Sequence, residues 1–426
     1  MSGERSQRWE YVVLDHLDAH ADEIVASLSR LVRIPSVSGS DAENDIQVAL
    51  RDDLVAVGID VDHWQIPLAE TMADPGFPGV EVDRDEAWGL VGAVRGSGDG
   101  RSLLLDVHVD VVPPSRGDAG TDPFSGRVDA AGVHGRGSCD MKGGVVAALW
   151  VARTLAALEV PLRGDLLLAC VQGEEDGGLG TFATLRRGWR ADACVIPEPT
   201  SLDLVPASAG SLTFRLRVPG AATHASRRSG GVSAVEKFIP VFQALRGLEA
   251  ARNTDPDALM SGWPIAYPIE IGTVHAGNWA SSVPDLLVAE GRYGVALDED
   301  VDAARREFTA AVARTCAADP WLRDHPVEVE WWGGQFASGR TPVDTPIVAT
   351  LRRAHADTSA HVQQTRGVPY GSDLRLLTGI GGVPTVHYGP GDAGRAHGPR
   401  EFVPVDEVLT TARTLALVAL RHCGTR

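Results

Sequence analysis

Apolar residues along the chain follow two different rhythms. Between Trp9 and Val32 they recur at Val12, Val13, Leu17, Ile24, Leu28, Leu31 and Val32, the spacing of one helical face. Pro35 ends that run, because the residue before a proline is pushed out of the α region. From Ser102 to Pro199 short apolar stretches alternate with helical ones. Ser102–Val112, Asp165–Val171 and Ala191–Ile196 read as strands, and Gly143–Leu158 reads as a helix with Val146, Leu149, Ala152, Leu155 and Ala156 on one face. Such alternation predicts a mostly parallel sheet covered by helices.

The rhythm changes at Ser211–Val218, where polar and apolar residues alternate strictly, as in a strand with one wet face. A helical run at Val232–Leu248, strands at Tyr267–Val274 and Asp285–Val295, a helix at Val301–Ala317 and a strand at Val327–Trp332 follow. This β-α-β-β-α-β order predicts a ferredoxin-like α+β unit. A helix at Pro346–Thr358, a strand near Val383–His387 and a helix over Val405–Arg421 then resume the first pattern. The expected architecture is therefore α/β: a mostly parallel-sheet domain over 1–206 and 336–426, split by a smaller α+β domain inserted over 207–335.

Composition narrows the class. At 44% hydrophobic and 23% charged, the chain is neither disordered nor fibrous. Its longest apolar stretch, Val145–Ala152, falls far short of the ~20 residues of a membrane span. The formal charge of −18 argues against nucleic-acid or anionic-membrane partners. Five scattered cysteines without a C-x-x-C pair, and a first segment without the apolar core of a secretory signal, lead us to expect a cytoplasmic protein.

The chemistry is concentrated in five short segments. In Leu103–Asp110, His108 and Asp110 share a strand face, which places Asp110 to help orient the imidazole of a metal-bound histidine. Asp140 stands in the glycine-dense turn Gly135–Gly144, which matches neither dinucleotide nor phosphate-loop patterns. It reads either as a helix cap or as a carboxylate held for two cations. Glu174, Glu175 and Asp176 follow an apolar strand, at the edge where open α/β sheets bind ligands. Glu198 lies between two prolines, and His397 follows a glycine-rich loop. Each segment alone has an ordinary structural reading. Together, His108, Asp140, Glu175, Glu198 and His397 form a balanced set for two divalent ions sharing one carboxylate, with zinc favoured and cobalt or manganese as alternatives. Glu174 is then left over as a general base for hydrolysing an amide.

In this order the segments LLLDVHVDVVPP, GRGSCDMKGG, GEEDGGLGT, IPEPT and AHGPRE resemble the M20 metallopeptidase family, and most of all its branch of acetylornithine deacetylases and succinyl-diaminopimelate desuccinylases. The resemblance runs from Leu31 to the C-terminus. It implies a catalytic domain of the zinc aminopeptidase/deacylase type with an inserted lid that also forms a homodimer. It assigns His108 and Glu198 to one metal, Glu175 and His397 to the other, and Asp140 to both. Asp110 becomes the residue orienting His108, and Glu174 the base. It further implies a cis peptide after Asp140 and, in Ala222–Ser226, a partner-reaching histidine, His224, that stabilises the oxyanion. Two positions depart from the family's pattern: Ala280 and Gly294 stand where an asparagine and an arginine are common, while Asn278 and Arg292 lie two residues earlier. Asn278, Arg292, Gly371, Ser372 and Arg375 are the candidate substrate contacts.

The activity these residues imply is a two-metal amidohydrolase removing an N-acyl group from an amino acid or related amine. A dipeptidase, a carboxypeptidase or a hydrolytic deaminase would use the same centre. A silent binding protein disagrees with the filled ligand set, and a phosphoesterase with the lack of a basic cluster around it.

Overall fold

The computed structural model describes residues 2–115, 117 and 122–426, and the chain clusters into two compact units. One runs to Ala207 and resumes over Arg340–Arg366 and Asp373–Arg426; the other comprises Ser208–Gly339 and Gly367–Ser372. The stretch Gly367–Ser372, expected in the outer segment from the linear pattern, clusters with the inner one.

The larger unit is built on a nine-stranded sheet. Its strands are β1 (Asp60–Gln65), β2 (Trp88–Val94), β3 (Leu103–His108), β6 (Leu166–Val171), β7 (Ala193–Ile196), β8 (Leu204–Ser208), β13 (Gly339–Arg340), β14 (Thr365–Val368) and β15 (Thr385–His387). A small sheet of β4 (Arg127–Val128), β5 (Val133–His134) and β16 (Phe402–Val403) accompanies it. The large sheet has the order β1-β2-β6-β3-β7-β15-β8-β13, with β14 beside β8. Its centre, β6-β3-β7-β15, is parallel, while β1, β2 and β8 pair antiparallel. Every residue of β3, β6 and β7 is buried. Sheets covered on both faces need such continuous apolar strands, so polar side chains collect at the strand ends.

Two elements differ from their expected limits for local reasons. The apolar stripe of Trp9–Val32 crosses two helices, Ser2–Ala19 and Ala21–Val32. They meet at His20, whose backbone is non-helical and whose Nδ1 reaches the His16 carbonyl at 2.7 Å. The strand expected over Ser102–Val112 stops at His108, because its register partner Val171 is the last residue of β6. Val109 N still donates to Val171 O at 2.9 Å, so the chain leaves the sheet extended.

The smaller unit is an antiparallel sheet of β9 (Gly210–Pro219), β10 (Ile269–Ala276), β11 (Leu286–Val295) and β12 (Glu328–Phe336), in the order β10-β11-β9-β12. This is the ferredoxin-like arrangement that the element order predicts. Leu212, Phe214, Leu216 and Val218 of β9 pack with Val241 and Leu245 of the helix Ala234–Arg252 and with Phe308 and Val312 of the helix Val301–Ala318. On the other face Arg215 pairs with Glu290 at 2.6 Å and Glu330 at 3.0 Å. Strict alternation in the sequence thus becomes one dry and one wet face.

The helix Gly143–Ala157 begins with two glycines. A Cβ at Gly144 would lie 2.0 Å from the carbonyl oxygen of Pro197, immediately before Glu198. Replacing a helical glycine by alanine ordinarily stabilises by about 1 kcal/mol. Here overlap with rigid backbone reverses the sign, so Gly144→Ala is expected to lower the melting temperature in thermal denaturation.

Candidate metal centre

Three parallel strands end at one edge of the sheet, and each delivers an acid or a histidine there. β3 ends on His108, β6 runs into Gln172–Gly178, and β7 runs into Pro197–Glu198. His108 Nδ1 donates to the carbonyl oxygen of Asp110 at 3.0 Å. The other ring nitrogen, Nε2, therefore faces the acids. The Asp110 carboxylate lies farther from the ring, at 3.7 Å. It accepts from Glu174 N at 3.2 Å, Glu175 N at 3.3 Å and Ser38 Oγ at 3.0 Å. Asp110 thus orients the imidazole chiefly through its backbone and the glutamate pair through its side chain.

Asp140 lies between the two histidines. Its Oδ1 is 3.1 Å from His108 Nε2, and its Oδ2 is 3.5 Å from His397 Nε2. The Asp140–Met141 peptide is cis. Glu401 Oε1 accepts from Cys139 N at 3.0 Å and Asp140 N at 3.1 Å, and Arg136 donates to Glu401 Oε2 at 2.6 Å. His397 Nε2 is 3.0 Å from Glu175 Oε2, and its φ of 60° lies in the left-handed region, sparsely used outside glycine. Glu198 Oε1 is 3.8 Å from His108 Nε2.

Ligand atoms of His108, Glu174 and Glu198 lie within 4.8 Å of one another, as do those of His108, Asp140 and Glu175. Burial works against charge on all of these groups. It pushes the Glu174 carboxyl well above its ordinary range, with Asp373 adding to it. Burial likewise raises Glu175 and Glu198, each helped by the charge of Asp140. Burial opposes ionisation of Asp140 too, but hydrogen bonds with His108 and His397 hold it well below the carboxylate range. Burial disfavours charge on His397, yet Glu175 and Asp140 drive its imidazole up to about 11. Four carboxylates face two imidazoles, so ionising all four would leave more negative charge than the histidines can balance. Imidazole and carboxylate donors at this spacing fit divalent cations of the zinc, cobalt or manganese kind.

His224, Asn278, Arg292, Gly371 and Ser372 belong to the smaller unit. His224 caps a short 3-10 turn, and Ser226 N donates to its Nδ1 at 3.2 Å. An accepting Nδ1 leaves the proton on Nε2, so the exposed ring presents a donor. Asn278 is exposed. Arg292 donates to Thr213 Oγ1 at 2.6 Å. A Cβ at Gly371 would lie 2.6 Å from Phe336 Cβ, and Ser372 Oγ donates to Ser208 Oγ at 3.2 Å. Arg375, expected to recognise charge on a substrate, is 5% exposed and donates to Gly177 O at 2.8 Å. Its guanidinium braces the loop that carries the glutamates.

Glu401, Arg136, Asp373, Arg84 and Glu43 support the site but are absent from the sequence-derived candidates. Glu401 lies four residues after His397 inside a motif already noted, yet nothing local shows that its carboxylate reaches the backbone of Cys139 and Asp140.

A cluster of carboxylates with the buried His108 and the half-exposed His397, at the carboxyl edge of an α/β sheet, defines the class of a metal-dependent hydrolase. The chain belongs to peptidase family M20/M25/M40, whose family model matches residues 104–421, and it acts as a hydrolase on amide bonds. It is 26% identical over 445 residues to the N-formyl-4-amino-5-aminomethyl-2-methylpyrimidine deformylase of Halalkalibacterium halodurans, covering 97% of each chain. With the acetylornithine deacetylase of Myxococcus xanthus it shares 28% identity over 344 residues, 79% of this chain and 84% of the relative. Its fold matches the dipeptidase Dug1p of Saccharomyces cerevisiae with a TM-score of 0.77 at 14% identity, over 97% of this chain and 98% of the other. Among the described residues no helix is long and apolar enough to cross a membrane.

The crowding of four carboxylates around two imidazoles makes one prediction. Chelator-treated protein is expected to melt at a lower temperature than protein with zinc added back. A ligand at 100 times its dissociation constant stabilises by about 2.7 kcal/mol. Identical melting curves with and without metal would count against a preformed centre.

Proposed function

We propose that the protein is a two-metal amidohydrolase that removes a small N-acyl group from an amino acid or related primary amine. The observation that carries this is Asp140, whose two carboxylate oxygens face two separate imidazoles. In this reading His108 and Glu198 hold one cation, Glu175 and His397 hold the other, and Asp140 is shared. When bound, two such cations polarise a carbonyl and lower the pKa of water toward neutrality, with zinc the favoured metal. Glu174, held at its backbone by Asp110, takes the proton of the attacking water and passes it to the departing nitrogen. What supports this role is that the Glu175 carboxylate is engaged by His397 at 3.0 Å, while burial and the charge of Asp373 raise the proton affinity of Glu174.

The acyl group is read from the relatives, whose names describe deformylation and deacetylation of amines. His224, with its proton on Nε2, is assigned to the oxyanion of a partner's site in a homodimer. Supporting that assembly, β10 is an edge strand with a largely exposed surface, including Val274 at 48%. Ile239 and Phe242, on the helix Ala234–Arg252, are also exposed. Arg292, paired to Thr213, and Asn278 remain the proposed substrate contacts of the smaller unit, together with the Gly371–Ser372 turn. All five cysteines are free and buried, in keeping with a reducing, cytoplasmic setting.

A panel of N-formyl, N-acetyl and N-succinyl amines against dipeptides, run on metal-reconstituted enzyme, tests the reaction class. Dipeptide hydrolysis without deacylation would overturn it. Glu174→Gln is expected to lower turnover by about 10²–10⁴-fold while two metals remain bound by elemental analysis. His224→Ala is expected to cost about 10²–10³-fold in kcat. Mixing the two inactive variants under exchange conditions should restore activity that neither shows alone, because a mixed dimer rebuilds one complete site. No recovery in demonstrated mixed dimers would remove the partner role.

A further inference from the structure

Arg84 lies outside the segment matched by the family model, in the irregular link between the helix Leu68–Ala73 and β2. Its guanidinium is nonetheless wholly buried between two carboxylates. Nε and Nη2 donate to Glu43 at 2.9 and 3.1 Å, and Nη1 and Nη2 donate to Asp176 at 2.8 and 2.9 Å. All three side chains are at most 5% exposed. Asp176 also accepts from Glu81 N at 3.2 Å and Val82 N at 3.0 Å. A buried ion network of this kind carries a desolvation cost that its attraction does little more than offset, so stability alone is a weak reason for it.

The geometry around it points to position instead. Asp176 directly follows Glu174 and Glu175. The turn they share is gripped at successive points: Glu174 N and Glu175 N by Asp110, the Asp176 side chain by Arg84, and Gly177 O by Arg375. No room is left for slack. A Cβ at Gly173, where φ is 70°, would lie 3.1 Å from both Arg84 Nη2 and Asp176 Oδ1, and one at Gly177 would lie 1.9 Å from Gly79 O.

From this we infer that Arg84 is a positioning residue for the hydrolysis proposed above, on which the inference rests. Its fork ties Glu43 of the helix Ala42–Val55 to Asp176, and so fixes the Glu174–Glu175 backbone with one carboxylate turned to a cation and its neighbour left as a base. A lysine cannot do this, because one ammonium cannot serve two carboxylates bidentately.

The test uses full-length, cobalt-loaded protein and the variants Arg84→Lys, Arg84→Met and Asp176→Asn. It measures kcat and KM separately, the affinity of each cobalt ion by its visible absorption, and the melting temperature. Supporting residues around metal sites typically change affinity or activity by about 10–100-fold. That loss is expected in kcat and in the weaker cobalt affinity, with KM nearly unchanged and a shifted cobalt spectrum. Arg84→Lys should recover much of the melting temperature without recovering kcat. A variant that melts lower but keeps the wild-type kcat, cobalt affinities and spectrum would overturn the inference. Should Arg84→Met fail to fold, Asp176→Asn decides, since it retains an acceptor oxygen for Glu81 and Val82. If the wild type deacylates nothing on the panel, the functional reading fails, and the cobalt affinities and spectra still decide on Arg84.

Discussion

Three consecutive carboxylates, Glu174, Glu175 and Asp176, are buried on one turn, and the organisation of the site follows from how that like charge is tolerated. Two carboxylates 4 Å apart repel by roughly 4 kcal/mol at an effective dielectric near 20. The turn divides the problem. Asp176 faces away from the cluster and is answered by Arg84 and two backbone amides. Glu175 faces His397. Glu174 has its backbone tied to Asp110, while burial and Asp373 press its carboxyl toward the neutral form. Only the inner part of the acid run is therefore left for cations to neutralise.

The sheet explains why the charge collects there. Strands buried on both faces admit few polar side chains along their length, so the first place where β3, β6 and β7 can present acids and imidazoles is their carboxyl ends. Gly144 lets a helix start against Pro197 and so sets Glu198 close to His108. Glu401 and Arg136 play the same part for Asp140. His108, Asp140, Glu174, Glu175 and Glu198 are thus each held by a hydrogen bond or a close backbone contact outside the ligand set, and a constellation meant for metal needs such rigidity before any metal arrives.

What could be read from sequence was whatever is local. Strand ends, helix faces and the alternation of β9 depend on residues within one element, and the five segments announce themselves by unusual acids and histidines in short windows. The break at His20 was not legible, because the apolar stripe continues in phase across it. The helix Ala42–Val55 was missed for a related reason: it buries Glu43 and Gln47 along with Ile46, Leu50 and Leu54, so its inward face is not purely apolar. Arg84 and Glu401 were invisible because their partners lie 92 and 261 residues away. Arg375 is visible in the sequence but the direction of its side chain is not, since a guanidinium aimed at substrate and one aimed at a buried carbonyl look identical there.

The same limit separates the chemistry of the two glutamates from their order in the chain. Neighbouring residues of identical type can take different roles only if their surroundings differ, and here those surroundings come from distant elements. His397 approaches Glu175 from a loop 222 residues away, while burial and the charge of Asp373 act on Glu174. An imidazole partner draws one carboxylate into a ligand set. Burial, with the charge of a second buried acid, raises the other's affinity for a proton, the property a general base needs. Exchanging those two surroundings would exchange the roles without altering the Glu-Glu pair. The division of labour proposed for this enzyme is therefore a property of the tertiary structure, and the turn between β6 and the following helix supplies only two equivalent side chains for it to distinguish.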